Sequence, residues 1–335
     1  MKKFLKIQVA SLLLLQTFMS AAWSAEYTMR IASGANSAGF TCKEFLAGWG
    51  EKIKAASGGR IDYELYCDGK LGKMGDTVNR VEYGLAEVGW DIPLAYGQRF
   101  APLGVVGVPG LYKDPAKAAG ALWKLYESGV IPEDSAVRIA LLQTFGNTSL
   151  WTKDKVEDLT TLDGLKIAMG SRERAITLQS MGAAPVNLRV PEYYQAVAKG
   201  VADGIFSTDT SVFDFSMTEL LKYNYRASFG GGVVGLFMNK NWYSSLPDEL
   251  KKVIDENSGY EGSKWASNLL AESEKVLLKN AETDHGVTVH KLTPEEIDAW
   301  QPAFEKTKEA WVGAIPNGEA YLSGFKAGLA EEADQ

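Results

Sequence analysis

The residues able to carry out chemistry in this sequence are few, and they form no familiar catalytic set. The only histidines are His285 and His290, and no HExxH motif is present. The only cysteines, Cys42 and Cys67, are not spaced as a zinc-binding pair. No GxGxxG directly follows a predicted strand, and neither GxxxxGK[ST] nor GxSxG occurs. We therefore expect no bound metal, no cofactor and no catalysis.

Charged residues offer two further possibilities. Asp203 and Asp209 would serve as an acid and base pair only beside a nucleophile, a metal or a histidine, and capping of the turn at Gly204 is the favoured explanation. Arg172 and Arg174 stand at the start of a predicted helix, where a guanidinium is suited to binding an anion. A solvated helix face is the alternative for both arginines.

The first 24 residues have the layout of a secretory signal peptide. Three lysines precede an uncharged stretch over residues 7–25 that ends in small residues, so we expect cleavage after Ser24 and export to the periplasm. A membrane anchor is the alternative, although the apolar centre is only about 10 residues long. Cleavage removes three of the 35 basic residues and none of the 42 acidic ones, leaving a net charge of about −10. Such an acidic exported protein is a poor partner for nucleic acid.

Both cysteines lie in the exported part of the chain. An even number of cysteines in an oxidising compartment favours one disulfide, Cys42 to Cys67, and two buried free thiols are the alternative.

The elements that must position these residues alternate between strand and helix. With 335 residues, of which 46% are hydrophobic and 23% charged, the chain is long enough for two folded lobes. Strands are predicted at Tyr27–Ser33, Ile61–Cys67 and near Val88–Asp91, with a helix in each interval. This pattern predicts an α/β domain with a largely parallel sheet, in which ligands gather at the carboxyl ends of the strands.

A second unit of the same kind follows, with strands near Leu165–Met169, Pro185–Leu188 and Gly204–Ser207. The polar stretch over residues 145–149 would serve as a hinge, and a strand over Val233–Met238 would return the chain to the first lobe. Two crossings would then connect the lobes. A helical region follows from Leu246 onward.

Four short motifs occur in order in the second unit. They are Leu162-Asp163-Gly164-Leu165-Lys166-Ile167, Met181-Gly182-Ala183-Ala184-Pro185-Val186, Glu192-Tyr193 and Gly200-Val201-Ala202-Asp203-Gly204. Together they resemble the extracytoplasmic solute-binding proteins of TRAP transporters, of the dicarboxylate-binding type. Flanking landmarks extend the resemblance over almost the whole exported chain, among them Phe100-Ala101-Pro102-Leu103 and Met238-Asn239-Lys240.

The resemblance implies an α/β, two-lobe periplasmic binding protein of type II, with hinge crossings and a long helix spanning both lobes. We expect residues 25–146 and 233–272 to form lobe I, and residues 147–232 and 273–335 to form lobe II. The resemblance also implies a monomer that binds a small organic acid and delivers it to the small and large membrane subunits of a permease driven by an ion gradient.

The sequence departs from this family at its anion clamp. In most members an arginine after the Lys-Ile pair binds the substrate carboxylate, but here that position is Ala168. A second arginine common in many members is also missing, since Asn147, Thr148 and Ser149 occupy its region. We expect Arg172 or Arg174 to replace the clamp. The expected ligands are then small organic acids, including those with an apolar or aromatic part, and other anions such as a sulfonate, while a neutral or zwitterionic solute is the alternative.

Strand ends and family positions give the candidate ligand-binding residues. They are Gly34, Ala35, Asn36, Trp90, Asp91, Arg172, Arg174, Ser207, Asp209, Phe237 and Asn239. Trp90 would either stack on the ligand or pack in the core, and Asp91 would either accept a hydrogen bond from the ligand or cap a turn. Tyr193 and Phe213 are expected in the core.

Two other classes of protein remain open at this point. The same fold would serve a sensor subunit that presents its ligand to a signalling receptor, and a neighbouring gene for a histidine kinase would indicate that role. An enzyme on a binding-protein scaffold would convert its bound compound.

Overall fold

The chain folds into two sheets flanked by helices, as a computed structural model of residues 25–333 shows. The strands of this part of the chain are β1 (Tyr27–Ser33), β2 (Ile61–Tyr66), β3 (Val88–Asp91), β4 (Val137–Thr144), β5 (Ser149–Thr152), β6 (Lys166–Met169), β7 (Ala184–Asn187), β8 (Gly204–Ser207), β9 (Tyr223–Arg226), β10 (Val233–Asn239) and β11 (Thr288–Lys291).

Helices alternate with the strands through most of the chain and follow them at its end. They are α1 (Ala47–Ala56), α2 (Thr77–Glu82), α3 (Pro115–Glu127), α4 (Arg172–Ser180), α5 (Tyr193–Ala198), α6 (Asp209–Asp214), α7 (Lys240–Ser245), α8 (Asp248–Glu256), α9 (Gly259–His285), α10 (Pro294–Ala314) and α11 (Gly318–Ala333). A π-helical segment, Thr41–Leu46, runs directly into α1, and 3₁₀ segments cover Pro93–Gly107, Val190–Glu192 and Met217–Glu219.

Each sheet contains one antiparallel strand among parallel ones. The first sheet has the order β2-β1-β3-β10-β4 and the second has the order β11-β9-β5-β8-β6-β7. In the first sheet β10 runs antiparallel to β3 and β4, and in the second β5 runs antiparallel to β8 and β9. Both exceptions are strands that enter from the other lobe. A chain that crosses between the lobes enters a sheet at the edge where its parallel strands end. It then runs toward the edge where those strands begin, and this is the antiparallel direction.

The sheets are buried on both faces, which defines two lobes with separate cores. Neighbouring residues Leu236 and Phe237 of β10 belong to different hydrophobic clusters, so both faces of the first sheet are covered. Ile167 and Ala168 of β6 likewise belong to different clusters on the second sheet. We call the first sheet with its covering helices lobe I and the second sheet with its own helices lobe II.

The long helix α9 contacts both lobes, as the sequence predicted. In lobe I the hydroxyls of Ser263 and Ser267 accept hydrogen bonds of 2.9 Å from the backbone of the edge strand β4. Further along α9, Ala281 packs in the core of lobe II. Since the outer N–H groups of β4 are bound by α9, the helix also protects this sheet edge.

The last helix departs from the expected division of the chain, which assigned residues 273–335 to lobe II. Helix α10 packs on lobe II, where Trp300 and Phe304 enter its core. In α11, however, Tyr321 and Phe325 enter the core of lobe I, and Gly328 lies against α3. The chain therefore returns to lobe I after α10.

The expected disulfide is present and joins two segments beside the end of β1. Cys42 and Cys67 are bonded, with their Cα atoms 6.6 Å apart. The bond ties the π-helical segment to the turn after β2. That turn is also held against the loop after β1, because the Asp68 backbone N–H donates a hydrogen bond of 2.9 Å to the Ala35 carbonyl.

Candidate functional site

The carboxyl ends of the parallel strands in both lobes meet the two crossings, so the candidate site lies between the lobes. Gly34, Ala35 and Asn36 form the loop after β1 at this edge. A Cβ atom on Gly34 would lie 2.3 Å from the Met74 backbone nitrogen, so the loop approaches its neighbour as closely as only glycine allows.

Asp91 is fully buried and its carboxylate is occupied by the protein itself. Its oxygens accept hydrogen bonds from the backbone N–H groups of Gly75 and Thr77, at 2.7 and 2.8 Å, and from the Tyr96 hydroxyl. It also accepts from the N–H of Ile92. These contacts organise the start of α2, so the capping interpretation accounts for Asp91.

Phe237 and Asn239 do not join the other candidates. Phe237 is fully buried and its ring lies 5.1 Å from that of Phe100 in the core of lobe I. Asn239 caps α7, accepting from the Trp242 N–H over 2.8 Å, and it pairs with Val137 at the start of β4. The reversed direction of β10 places Asn239 at the edge of the sheet opposite the crossings, so we leave both residues out of the site.

Ser207 and Asp209 lie at the end of β8, where both are buried. The Ser207 hydroxyl is 2.9 Å from that of Ser211. Asp209 accepts a hydrogen bond from the Trp151 indole and forms an ion pair with Arg226. Because its charge is already neutralised, Asp209 supports α6 and has little capacity left for a ligand.

The two candidate arginines differ sharply in their surroundings. Arg172, at the first position of α4, is exposed, whereas Arg174 is half-buried and its backbone N–H is bound to the Ser171 hydroxyl that caps the helix. Burial lowers the pKa of the Arg174 guanidinium, and the nearby Tyr193, Glu173 and Tyr112 oppose that effect. Within residues 25–333 no ion pair or side-chain hydrogen bond engages this guanidinium.

Arg174 faces tyrosines from both lobes. Tyr112 belongs to the core of lobe I and Tyr193 to a core of lobe II, and each interacts electrostatically with the guanidinium. Arg174 of lobe II is thus within electrostatic range of a lobe I tyrosine. Among the described residues, its guanidinium forms no ion pair and no side-chain hydrogen bond that would prevent it from binding an anion.

Three polar atoms near the crossings are also buried without a hydrogen-bond partner in the described part of the chain. They are Trp90 Nε1, Thr148 Oγ1 and Tyr193 Oη. Burial raises the pKa of Tyr193, whereas the charge of Arg174 and the nearby Ser207 hydroxyl lower it, so the Tyr193 hydroxyl lies close to both groups. An unpaired buried polar atom costs about 1–3 kcal/mol, so these atoms are suited to a polar ligand or water.

The crossings are fixed to each other and to Tyr112. The Thr148 N–H donates to the Gly230 carbonyl over 2.7 Å, and the Tyr112 hydroxyl donates to the Phe145 carbonyl over 3.0 Å. A Cβ atom on Gly231 would lie 2.0 Å from that hydroxyl, so a side chain there would displace Tyr112. Tyr112, the lobe I residue that interacts with Arg174, therefore contacts the crossings that form the hinge.

A model of the family described as bacterial extracellular solute-binding protein, family 7, matches residues 32–312. The chain belongs to this family. Its members are periplasmic transport proteins that bind solutes for TRAP permeases, so the resemblance recognised in the sequence is confirmed.

Relatives of known description support this membership. The chain is 26% identical over 299 residues to the C4-dicarboxylate-binding periplasmic protein DctP of Rhodobacter capsulatus, covering 84% of this chain and 85% of that protein. A marine metagenome TRAP solute-binding protein specific for aromatic acids, solved with 3-hydroxybenzoate, has a TM-score of 0.84 at 26% identity and covers 92% and 99% of the two chains. A Rhodoferax ferrireducens T118 solute-binding protein, solved with benzoate, has a TM-score of 0.84 at 24% identity, with 92% and 98% covered. The two-lobe fold is thus confirmed.

Family 7 membership gives Ala168 a clear meaning. Ala168 is fully buried in the cluster that contains Trp151 and Tyr193, so the position offers neither a charge nor an exposed surface. Tyr193 is shared between this cluster and the surroundings of Arg174. Arg174 and Ala168 are therefore both neighbours of Tyr193.

Sequence reasoning did not single out Tyr112 or Asp214. It named Thr148 only as part of the stretch where a family arginine is missing, and it favoured a core position for Tyr193. Tyr193 was expected in the core, where its ring does lie, but its unpaired hydroxyl is visible only in three dimensions. Asp214 ends the short helix α6 and faces Gly39 of lobe I, and no pattern in the sequence distinguishes it from a turn residue.

Two surface depressions in the described part of the chain lie away from these residues. One, of about 570 Å³, lies below α3 and is lined in part by Arg138, which stacks 4.1 Å from the Tyr243 ring and pairs with Asp255. The Arg138 guanidinium is thus already occupied by contacts within the protein.

The export signal expected at residues 1–24 lies outside the described residues. Over residues 25–333, no helix has the length and apolar character needed to cross a bilayer.

Proposed function

We propose that this chain captures a small monocarboxylic acid with an aromatic or other apolar body in the cleft between its lobes, and delivers it to a TRAP permease. The observation that carries the proposal is the half-buried Arg174 guanidinium, which interacts electrostatically with tyrosines of both lobes and forms no ion pair or side-chain hydrogen bond with the described residues. A planar guanidinium donates two parallel hydrogen bonds to one carboxylate, which fixes the acid's orientation.

A single guanidinium favours a ligand with a single carboxylate. The second family arginine has no counterpart among Asn147, Thr148 and Ser149, and Asp214 adds a negative charge on the lobe II side of the cleft. A dicarboxylate would bring a second charge for which these residues offer no cation. Trp90 and Phe145 pack together in one cluster at this edge and supply apolar surface for the body of the ligand.

Comparison with similar proteins supports the same ligand class. The metagenome protein of 26% identity is described as specific for aromatic acid ligands. In this proposal residues 1–24 direct export, the exported chain acts as a monomer, and the ligand shifts an equilibrium between open and closed lobes by contacting both.

A thermal-shift screen of the chain from residue 25 onward tests the proposal. The probes are benzoate, 3-hydroxybenzoate, mandelate, succinate and the neutral isostere benzamide. A binder present at 100 times its Kd adds about 2.7 kcal/mol to the free energy of unfolding, so the aromatic acids should raise the melting temperature clearly. Benzamide should leave it unchanged. A shift with benzamide equal to that with benzoate, or with succinate alone, would overturn the proposal.

A further inference from the structure

A second unused charge lies at the same cleft. Asp214 is the last residue of α6 in lobe II, and its Oδ1 atom is 3.3 Å from where a Cβ atom of Gly39 in lobe I would stand. The carboxylate therefore reaches across to the opposite lobe. Throughout residues 25–333 no hydrogen bond or ion pair engages it.

The loop that Asp214 faces does not satisfy it, because the backbone donors of that loop are used locally. The N–H groups of Ser37, Ala38 and Gly39 donate to Asp68 Oδ1, Asn36 Oδ1 and the Asn36 carbonyl, at 2.8, 2.8 and 3.0 Å. A simple clasp between the lobes would use these donors, so the geometry does not favour a clasp.

The surroundings of Asp214 also contain no compensating charge. Burial alone raises the pKa of its carboxyl, with no contribution from a neighbouring cation or anion. The residue is exposed, so in the absence of a ligand its carboxylate is hydrated rather than bound by the described residues. It is therefore free to accept a hydrogen bond from a donor that enters between the lobes.

We infer that Asp214 accepts a hydrogen bond from a donor group on the ligand, so that the solute is an acid that also carries a hydroxyl or ammonium group. This inference rests on the proposed function: Arg174 binds the carboxylate, and Asp214 binds the donor. The pair then selects for a ligand that has a carboxylate at one position and a hydrogen-bond donor at another. The negative charge of Asp214 disfavours a second carboxylate.

Calorimetric titration with matched acids tests this inference. The probes are 3- and 4-hydroxybenzoate, the corresponding fluorobenzoates, which lack a donor, and 3-(aminomethyl)benzoate, which carries an ammonium group. The wild type should bind the better hydroxyl or ammonium compound about 10-fold more tightly than its fluoro counterpart, since a hydrogen bond to a charged group is worth about that factor. Asp214→Ala should abolish this preference and leave the affinity for the fluorobenzoates within about twofold.

Gly39→Ala is the matched control, because it crowds the contact between the lobes without removing the carboxylate. It should change the affinity for all the acids by a similar factor and keep the preference for a donor. Equal weakening of fluoro and hydroxy compounds by Asp214→Ala would show that Asp214 only supports lobe closure, and would overturn the inference. Wild-type binding of the acids without any preference would also overturn it and leave the proposed function standing, whereas failure of every acid to bind would refute the proposed function itself.

Discussion

Arg174 and Arg172 differ by only two positions, yet they have different environments because of helix geometry. Residues two apart on an α-helix are separated by about 200° around its axis, so one of them faces inward when the other faces outward. The sequence identified both as substitutes for the arginine missing at Ala168, but it did not reveal which one α4 turns toward Tyr112 and Tyr193. That choice depends on how α4 docks on its sheet, which is a tertiary property.

Glu274 is a buried acid beside the hinge, and it should make stability depend on pH. Its carboxylate accepts a hydrogen bond from the Thr210 N–H over 3.2 Å, and a Cβ atom on Gly146 would lie 3.2 Å from its other oxygen. Burial, with the charge of Asp209 adding to it, raises the pKa of Glu274 from 4.5 to about 7, against smaller opposite effects from Thr210 and Arg226.

A pKa raised in the folded state means that the folded protein holds this proton more tightly than the unfolded chain. The corresponding stability is fully present below pH 4.5 and is lost as the pH rises through about 7. We predict that Glu274→Gln, which mimics the protonated acid, matches the wild type near pH 5 and exceeds its free energy of unfolding by up to about 3 kcal/mol at pH 8. Urea denaturation at the two pH values measures this, and a variant less stable than the wild type at pH 8 would contradict the prediction.

At the scale of elements, the positions of most strands were predicted closely, including the crossing strand β10, which was expected over Val233–Met238 and covers Val233–Asn239. The direction of β10 and the existence of β5 were not predicted. Tyr27–Ser33 and Gly204–Ser207 match the structure, because alternation and turn residues define them locally. Strand β5 begins at Ser149, inside the segment expected as a polar turn. The direction of β10, and with it the position of Asn239, follows from lobe connectivity rather than from any local pattern.

The docking of α11 on lobe I rests on a buried charge cluster that sequence reasoning did not find. The Glu332 carboxylate is fully buried and pairs with Lys124 of α3 at 2.8 Å and Lys264 of α9 at 3.0 Å. It also accepts a hydrogen bond of 2.6 Å from the Tyr260 hydroxyl. Gly120 of α3 leaves space for the Glu332 carboxylate, because a Cβ atom at position 120 would lie 2.9 Å from Glu332 Oε1.

This cluster predicts a loss of stability in acid. Burial raises the pKa of Glu332, but the hydrogen bonds from Lys124, Tyr260 and Lys264 outweigh it and hold the pKa at about 2. The stabilisation is therefore present above pH 4.5 and is lost as the pH falls toward 2. Glu332→Gln should lower the free energy of unfolding by about 3 kcal/mol at pH 7, since it removes the buried carboxylate that two half-buried lysines share.

Denaturation of the wild type and Glu332→Gln at pH 7 and pH 3 measures the effect, and the difference between the two proteins should shrink at pH 3. Glu331→Gln is the matched control, because that neighbouring carboxylate is mostly exposed and makes only a 3.2 Å contact with Lys124. A difference that stays constant between the two pH values would contradict the assignment of the cluster.

For the whole molecule, the resemblance to family 7 predicted the two lobes, their crossings and the long helix, because these features follow from the order of short motifs along the chain. The ligand was beyond this reasoning, since the family's clamp is absent at Ala168. The sequence shows only that the expected arginine is absent at Ala168. Only the assembled lobes show that Arg174 of lobe II is within electrostatic range of Tyr112 of lobe I, which is bound to the Phe145 carbonyl at the hinge.

Calorimetric titration of benzoate into the wild type, Arg174→Ala and Arg189→Ala tests the central claim most directly. Arg189 is a matched control in the same lobe, because its guanidinium is exposed and pairs with Glu192. We predict that Arg174→Ala weakens benzoate binding about 100-fold, the loss of a charge-assisted hydrogen-bond pair, and that Arg189→Ala stays within about twofold of the wild type. Unchanged benzoate affinity in Arg174→Ala, or a loss seen instead in Arg172→Ala, would contradict the account.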